Sequence, residues 1–145
     1  MNTDTRMAVC THILALLALT PKGEHRTSTL LARSVNTNAV VVRRLVGSMK
    51  RAGLVAVLPG RGGTTIARAP ETITLLDVYR AVLPAEKLCP FQVHQNPNLR
   101  CYVGKSIHDA LEMPLAKVRQ AVQQSLSSTT IADIAAFIQA RRENN

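Results

Sequence analysis

Tryptophan is absent from this 145-residue chain, and only two Phe and two Tyr are present. A chain so poor in flat aromatic faces is badly equipped to stack unpaired bases, which argues against single-stranded nucleic acid or RNA as its target. With 46% apolar residues it can still bury a core, but that core has to be aliphatic. No apolar run is long enough to cross a bilayer. Met7 to Leu19 follows Arg6 and is apolar, yet Thr11 and His12 interrupt it and no small-residue cleavage site comes after. The expectation is a cytoplasmic chain without membrane contact. Cysteine is sparse too: Cys10, Cys89 and Cys101 are expected to be reduced in that compartment. No paired carboxylates, nucleophile motif, phosphate-binding loop or dense set of metal ligands is found, so neither an enzyme nor a metal site is expected.

What is there is basic and unevenly placed. Residues 1–69 hold ten Lys and Arg against Asp4 and Glu24, whereas residues 70–145 hold eight against seven. Nearly all of the net charge of +9 therefore belongs to the first half. A one-sided basic surface binds polyanions because neutralised phosphates release their counterions. Solvated Lys and Arg faces are the plainer reading of the same charge; the asymmetry tips the balance to duplex DNA.

Asp4 can cap a first helix that runs to about Leu19, with Val9, Ile13, Leu16 and Leu17 at helical spacing and Thr20-Pro21-Lys22-Gly23 as its stop. Thr27 or Ser28 caps a short second helix, and Val35-Asn36-Thr37 makes a turn. A third helix starts near Asn38 and ends at Gly53. In it Val42, Leu45, Val46 and Met49 mark the buried face, leaving Arg43, Arg44, Gly47, Lys50 and Arg51 outside. Gly47 costs such a helix about 1 kcal/mol relative to Ala; close approach to another backbone is one reason to keep it. Leu54–Leu58 and Thr64–Ala67 flank Pro59-Gly-Arg-Gly-Gly63, a hairpin signal with Arg61 at its tip. A hairpin directly after a basic helix is the pattern of a winged helix-turn-helix. Thr72 or Thr74 opens a fourth helix over Ile73–Leu83. Pro84 to Lys105 looks like a loop, and Ser106 opens a long helical stretch to Leu126. Its stripe is Ile107, Leu111, Val118, Val122 and Leu126, and Pro114 is expected to kink or restart it. Thr130-Ile-Ala-Asp133 is the signature of a capping box for a terminal helix.

This order of elements, together with Val41-Val-Arg-Arg-Leu45, Lys50-Arg-Ala-Gly-Leu-Val55, the Gly-rich wing, Ile73-Thr-Leu-Leu-Asp-Val-Tyr-Arg-Ala-Val82, the Cys loop and Thr130-Ile-Ala-Asp-Ile134, resembles the Rrf-two family of bacterial winged-helix regulators. The resemblance covers nearly the whole chain. It implies a homodimer on a partly palindromic double-stranded DNA operator, gated by the loop before the dimerisation helix. Well-known members hold an iron–sulfur cluster on three loop cysteines at about Cys-x5-Cys-x5-Cys, with a ligand such as His after them. Here Cys89 and Cys101 match the outer positions, Gln95 stands in the middle one, and Gly104 falls where the His would be. Two thiolates make a poor cage, so no cofactor is expected, although His94 is a candidate substitute ligand. Phe91-Gln-Val-His-Gln-Asn-Pro-Asn98 followed by Cys101-Tyr-Val-Gly104 resembles instead the cluster-free branch that includes thiol sensors.

The resulting expectation is a mostly α chain with a small β-wing. Its winged helix-turn-helix comprises residues 1–83, a sensor loop residues 84–105, and dimerisation helices residues 106–145. Ser28 and Thr29 are candidates for phosphates, Asn38, Val41, Arg43 and Arg44 for the major groove, and Arg61 for the minor groove or backbone. Arg100, Lys105 and the helix start near Cys101 all favour its thiolate. Cys101 is thus the candidate redox sensor, with Cys89 or Cys10 as resolving thiol. Cys89 as an inert loop thiol and Cys10 as a core residue are the competing readings. His12, His25 and His108 read as surface or packing residues. The function expected is a transcriptional repressor gated by thiol chemistry. The alternatives are the same fold gated by a small metabolite or a partner protein, and an interaction module that regulates an enzyme.

Overall fold

The computed structural model describes residues 5–60, 62–89 and 91–144. Asp4, the expected first cap, and Arg61, the expected hairpin tip, lie outside those residues. Helix α1 (Arg6–Ala18) runs through the middle of the core, with Cys10, Ile13, Leu14 and Leu17 enclosed. Val9 and Leu16 pack against the edge of the same cluster. Helix α2 (Ser28–Val35) is capped by Thr27, whose Oγ1 accepts from the Leu30 amide at 3.3 Å. His12 Nε2 lies 2.9 Å from Ser34 Oγ and ties α1 to α2.

Asn36 adopts φ 59°, a left-handed conformation that Asn tolerates, and so turns the chain into α3 (Ala39–Arg51). Asn38 caps α3, its Oδ1 accepting from the Val40 amide at 2.7 Å. Val42, Leu45, Val46 and Met49 are all buried, as their spacing predicts. Strands β1 (Val55–Leu58) and β2 (Gly63–Ile66) then pair antiparallel, Val55 opposite Ile66 and Leu58 opposite Gly63. Arg26 adds one further pair to β2: its amide donates to the Thr64 carbonyl at 3.0 Å, and the Thr64 amide donates back at 2.8 Å. Gly63 makes room for this, since a Cβ there would sit 3.0 Å from the Arg26 carbonyl.

The second half uses one device twice. Thr74 caps α4 (Leu75–Val82) and Thr130 caps α6 (Ile131–Glu143), each in a capping box with an Asp three residues on. These two helix starts meet. The Leu75 amide donates to the Thr129 carbonyl at 2.9 Å, and the Ile131 amide to the Ile73 carbonyl at 2.8 Å. Between them runs α5 (Tyr102–Ser127), 26 residues long.

Two expectations need correction here. The long helix begins at Tyr102, with Cys101 as its N-cap, rather than at Ser106. Gly104 reads as a loop residue from sequence, but it lies in the first turn of α5, and the preceding loop folds closely over it: a Cβ on Gly104 would collide with the Asn98 carbonyl oxygen. Of the two outcomes expected at Pro114, a kink or a restart, the restart does not occur: α5 continues through it at the loss of one amide donor. The stretch before α5 also contains a single 3-10 turn, Ala85–Leu88.

Candidate nucleic-acid interface

The turn between α2 and α3 leaves one side of α3 open, and the hairpin β1–β2 closes part of that opening. A groove of about 390 Å³ runs between them, lined by Thr27 and Ser28 of α2, Arg43, Val46, Gly47 and Lys50 of α3, and Gly60, Gly63 and Thr64 of the hairpin. Among the described residues two cations face it and no carboxylate lines it. The only ion pairs among the described residues, Arg26–Glu24 and Arg68–Asp77, lie elsewhere. The groove thus carries two cations over a floor of Val46, Val57, Leu58 and glycines, and offers hydroxyls at the first turn of a helix. That is the chemistry a phosphodiester backbone requires.

The site residues expected from sequence divide between two flanks of α3. Ser28 and Arg43 come together on the wing side. Val41 and Arg44 face a second, smaller cleft on the other side, with Arg6. Thr29 is exposed in the first turn of α2. Asn38 is exposed but commits its Oδ1 to the cap of α3, which leaves its amide nitrogen as the free end. Val41 is half-buried against the core, whereas its neighbour Val40 is 53% exposed and is the apolar side chain α3 presents outward. Arg61 cannot be placed, being outside the described residues.

Sequence reasoning missed Thr27, Gly47 and Lys50 as parts of the groove, and Arg6 as a neighbour of Arg44. Lys50 and Gly47 were legible, because both stand at helical spacing from Arg43. Gly47 has no close backbone neighbour; a Cβ there would meet only the Arg51 guanidinium, at 3.8 Å. Arg6 had no signal, since only the packing of α1 on α3 brings it there.

The three cysteines occupy three different environments. Cys101 is exposed, and its thiol makes no capping hydrogen bond of ordinary geometry. It nonetheless lies in the field of the Gly104 and Val103 amides, which hold it below the usual thiol range. Cys89 is buried beside Leu88, which packs with Leu76 and Tyr79. Cys10 is enclosed in the core, and burial pushes its thiol up to about 12 against the opposing pull of Arg6. Across the loop, His108 Nε2 is 3.0 Å from the His94 carbonyl, and the two rings meet edge to face.

A basic helix set between a helical lead-in and a hairpin wing defines a winged-helix DNA-binding protein. The chain belongs to the Rrf2 family (the Rrf-two family above): the family model, described as iron-dependent transcriptional regulator, matches residues 3–136. It is therefore a DNA-binding regulator of transcription. It is similar to YwnA of Bacillus subtilis (strain 168), a candidate HTH-type transcriptional regulator, with 40% identity over 131 residues, 90% of this chain and 95% of that one. The crystal structure of a candidate DNA-binding protein matches with 36% identity and a TM-score of 0.71, over 89% of this chain and 97% of its own. CymR (YrzC), the global cysteine regulator of B. subtilis, matches with a TM-score of 0.69 at 23% identity, over 94% of this chain and 98% of its own. At that identity the likeness concerns the fold alone. No helix among the described residues is long and apolar enough to cross a membrane.

The family description raises the question of iron, and the donors here do not fit it. One loop thiol is buried, the other is exposed at the N-cap position of α5, and Gln95 stands between them in sequence. Among the described residues no three His, Cys, Asp or Glu side chains are grouped as a metal requires.

Proposed function

We propose that the protein is a homodimeric transcriptional repressor whose operator affinity responds to thiol chemistry in the loop around Cys89 and Cys101. In this reading residues 1–83 read DNA, residues 84–105 sense, and residues 106–145 dimerise. One observation carries it: α5 has no buried residue in the single chain. Its stripe of Ile107, Leu111, Val118, Val122 and Leu126 is only half-covered, and Tyr102 and Met113 are 84% and 67% exposed. An amphipathic helix of this length left half-covered calls for a partner, and a second copy supplies the same stripe. The exposed thiol stands at the start of that very helix.

With a hydroperoxide as oxidant, the Cys101 thiolate attacks the distal oxygen. The S–O bond forms as the O–O bond breaks, and the departing alkoxide takes a proton. A second thiol then displaces water from the sulfenic acid to give a disulfide. If that thiol is Cys89, the packing of Leu88 and Cys89 has to open first, which moves the loop that rests on α5. The altered seat of α5 changes the spacing of the two reading heads.

The test is binding to the DNA upstream of the protein's own gene, reduced and oxidised, for the parent and for Cys101→Ser. Binding lost on oxidation in the parent and retained in the variant is the expected result. Binding indifferent to both leaves the DNA reader intact and removes the thiol switch. A second reading, gating by a small molecule, is favoured by an apolar cavity of about 560 Å³ between α1 and α6, lined by Met7, Thr11, His12, Leu75 and Ile134 among others. Ligand-dependent release from DNA in a cysteine-free variant would select it.

A further inference from the structure

The smaller cleft beside α3 is separate from the groove under the wing. It lies on the flank of α3 away from the wing, has a volume of about 200 Å³, and is lined by Arg6, Val41, Arg44, Leu45, Ser48 and Val82. Its apolar walls come from α3 and α4, and its charged groups come from α1 and α3. Ser48 Oγ accepts from the Arg51 guanidinium at 3.0 Å, which brings a third cation to the rim. Among the described residues no carboxylate lines the cleft, and neither Arg6 nor Arg44 takes part in an ion pair.

Like charges gathered together repel one another, and an anion that joins them relieves that repulsion. A second, independent feature points the same way. Arg6 is the first residue of α1, whose first turn contains no acidic residue. A cation there opposes the positive end of the helix dipole, whereas an oxyanion is attracted by both. Guanidinium groups also present paired donors that match a phosphate or carboxylate.

We propose that this cleft is an oxyanion site and that its occupant is a phosphate of the DNA backbone, so that α1 contributes to the DNA interface through Arg6. The inference rests on α3 being the reading helix. A helix lying in the major groove is flanked by two phosphate strands, one on each side. The groove beneath the wing serves one strand, and the Arg6–Arg44 cleft is placed to serve the other.

The experiment compares the parent, Arg6→Gln and Arg6→Lys in binding to the upstream duplex and to an unrelated duplex of equal length, across a series of NaCl concentrations. Arg6→Gln is expected to weaken binding to both duplexes and to make the slope of log K against log salt shallower by about one. Arg6→Lys should restore the slope while recovering only part of the affinity, which separates charge from fold. In a second arm, inorganic phosphate is titrated into DNA-free protein at constant ionic strength, with the amide resonances of residues 41–48 followed. Saturable shifts lost in Arg6→Gln, combined with an unchanged salt slope, would keep the anion site and overturn the DNA assignment. An unchanged slope with no saturable shifts overturns the proposal altogether. Failure of the reading helix itself would look different: the parent would bind the two duplexes equally, while the slope would still report on Arg6.

Discussion

The DNA-reading unit and α5 are built from similar residues but stand in opposite states of completion. In the former, α1, α3 and α4 surround one aliphatic cluster in which Ile13, Leu31, Val42, Met49 and Val78 are wholly enclosed. In the latter, twice as long as α1, nothing is enclosed. Helical spacing of apolar residues is equally clear in both, so spacing alone does not say where a stripe finds its cover. The first cluster is closed with the help of Ile131 from α6, whereas in α5 only Val122 and Leu126 rest on Leu76, Tyr79 and Leu88 and the rest of the stripe stands half-covered. In the proposed dimer, stability would rest mainly on the first cluster and assembly on α5, and perturbing each in turn tests that division.

Ile13→Ala should destabilise by about 2–5 kcal/mol, because a deleted core side chain loses both burial and contacts. The denaturant midpoint should fall equally at every protein concentration, and a concentration-dependent loss would mean that the cluster needs the dimer. Gly104→Ala forces the Asn98 carbonyl off the first turn of α5, at a cost of about 1–3 kcal/mol. Hydrogen exchange should rise in residues 94–104 and stay level in α1–α3; a uniform rise would deny the separation. Val118→Asp should do the reverse of Ile13→Ala. Self-association by sedimentation should weaken at least about tenfold, roughly 1.4 kcal/mol, with the fold of the reading unit kept. An unaltered association constant would send the interface elsewhere.

The smaller effects test the paired caps. Thr74→Ala and Thr130→Ala should each cost about 1 kcal/mol in urea melts, and unequal values would rank the two helix starts. Asp77 adds a pH dependence. Its partial burial raises the carboxyl, but the Thr74 amide and hydroxyl, with Arg68 and Arg80, outweigh that and hold it below its ordinary value. A lowered folded value means that the unfolded chain binds protons first as pH falls. The contribution is therefore present above the unfolded-state value of about 3.9 and is lost as pH drops through the folded one. Asp77→Asn should flatten that acid limb, and an unaltered limb would assign it to other carboxylates such as Asp133.

Most of the architecture was legible because its signals are local. Thr130 and Asp133 announce a helix start three residues apart, Val42 to Met49 a buried face, and the glycines after Pro59 a hairpin. What escaped was set by distant contacts. Gly104 signals a turn by composition, but it is helical, and its lack of a side chain serves the close approach of the Asn98 carbonyl. Cys10 and Cys101 are the same residue in sequence and differ in the structure by burial. Arg43 and Arg44 are adjacent, yet they open onto different clefts because successive positions on a helix point about 100° apart.

The pairing of Thr74 with Thr130 has a mechanical consequence. Two backbone hydrogen bonds clip the start of α4 to the start of α6, so everything from residue 83 to residue 128 is an excursion that leaves and returns through one closed frame. A load on α5 has two rigid routes into the rest of the fold, that clip and the seat of Val122 and Leu126 on α4, and both lead to α1, on which α4 and α6 bear.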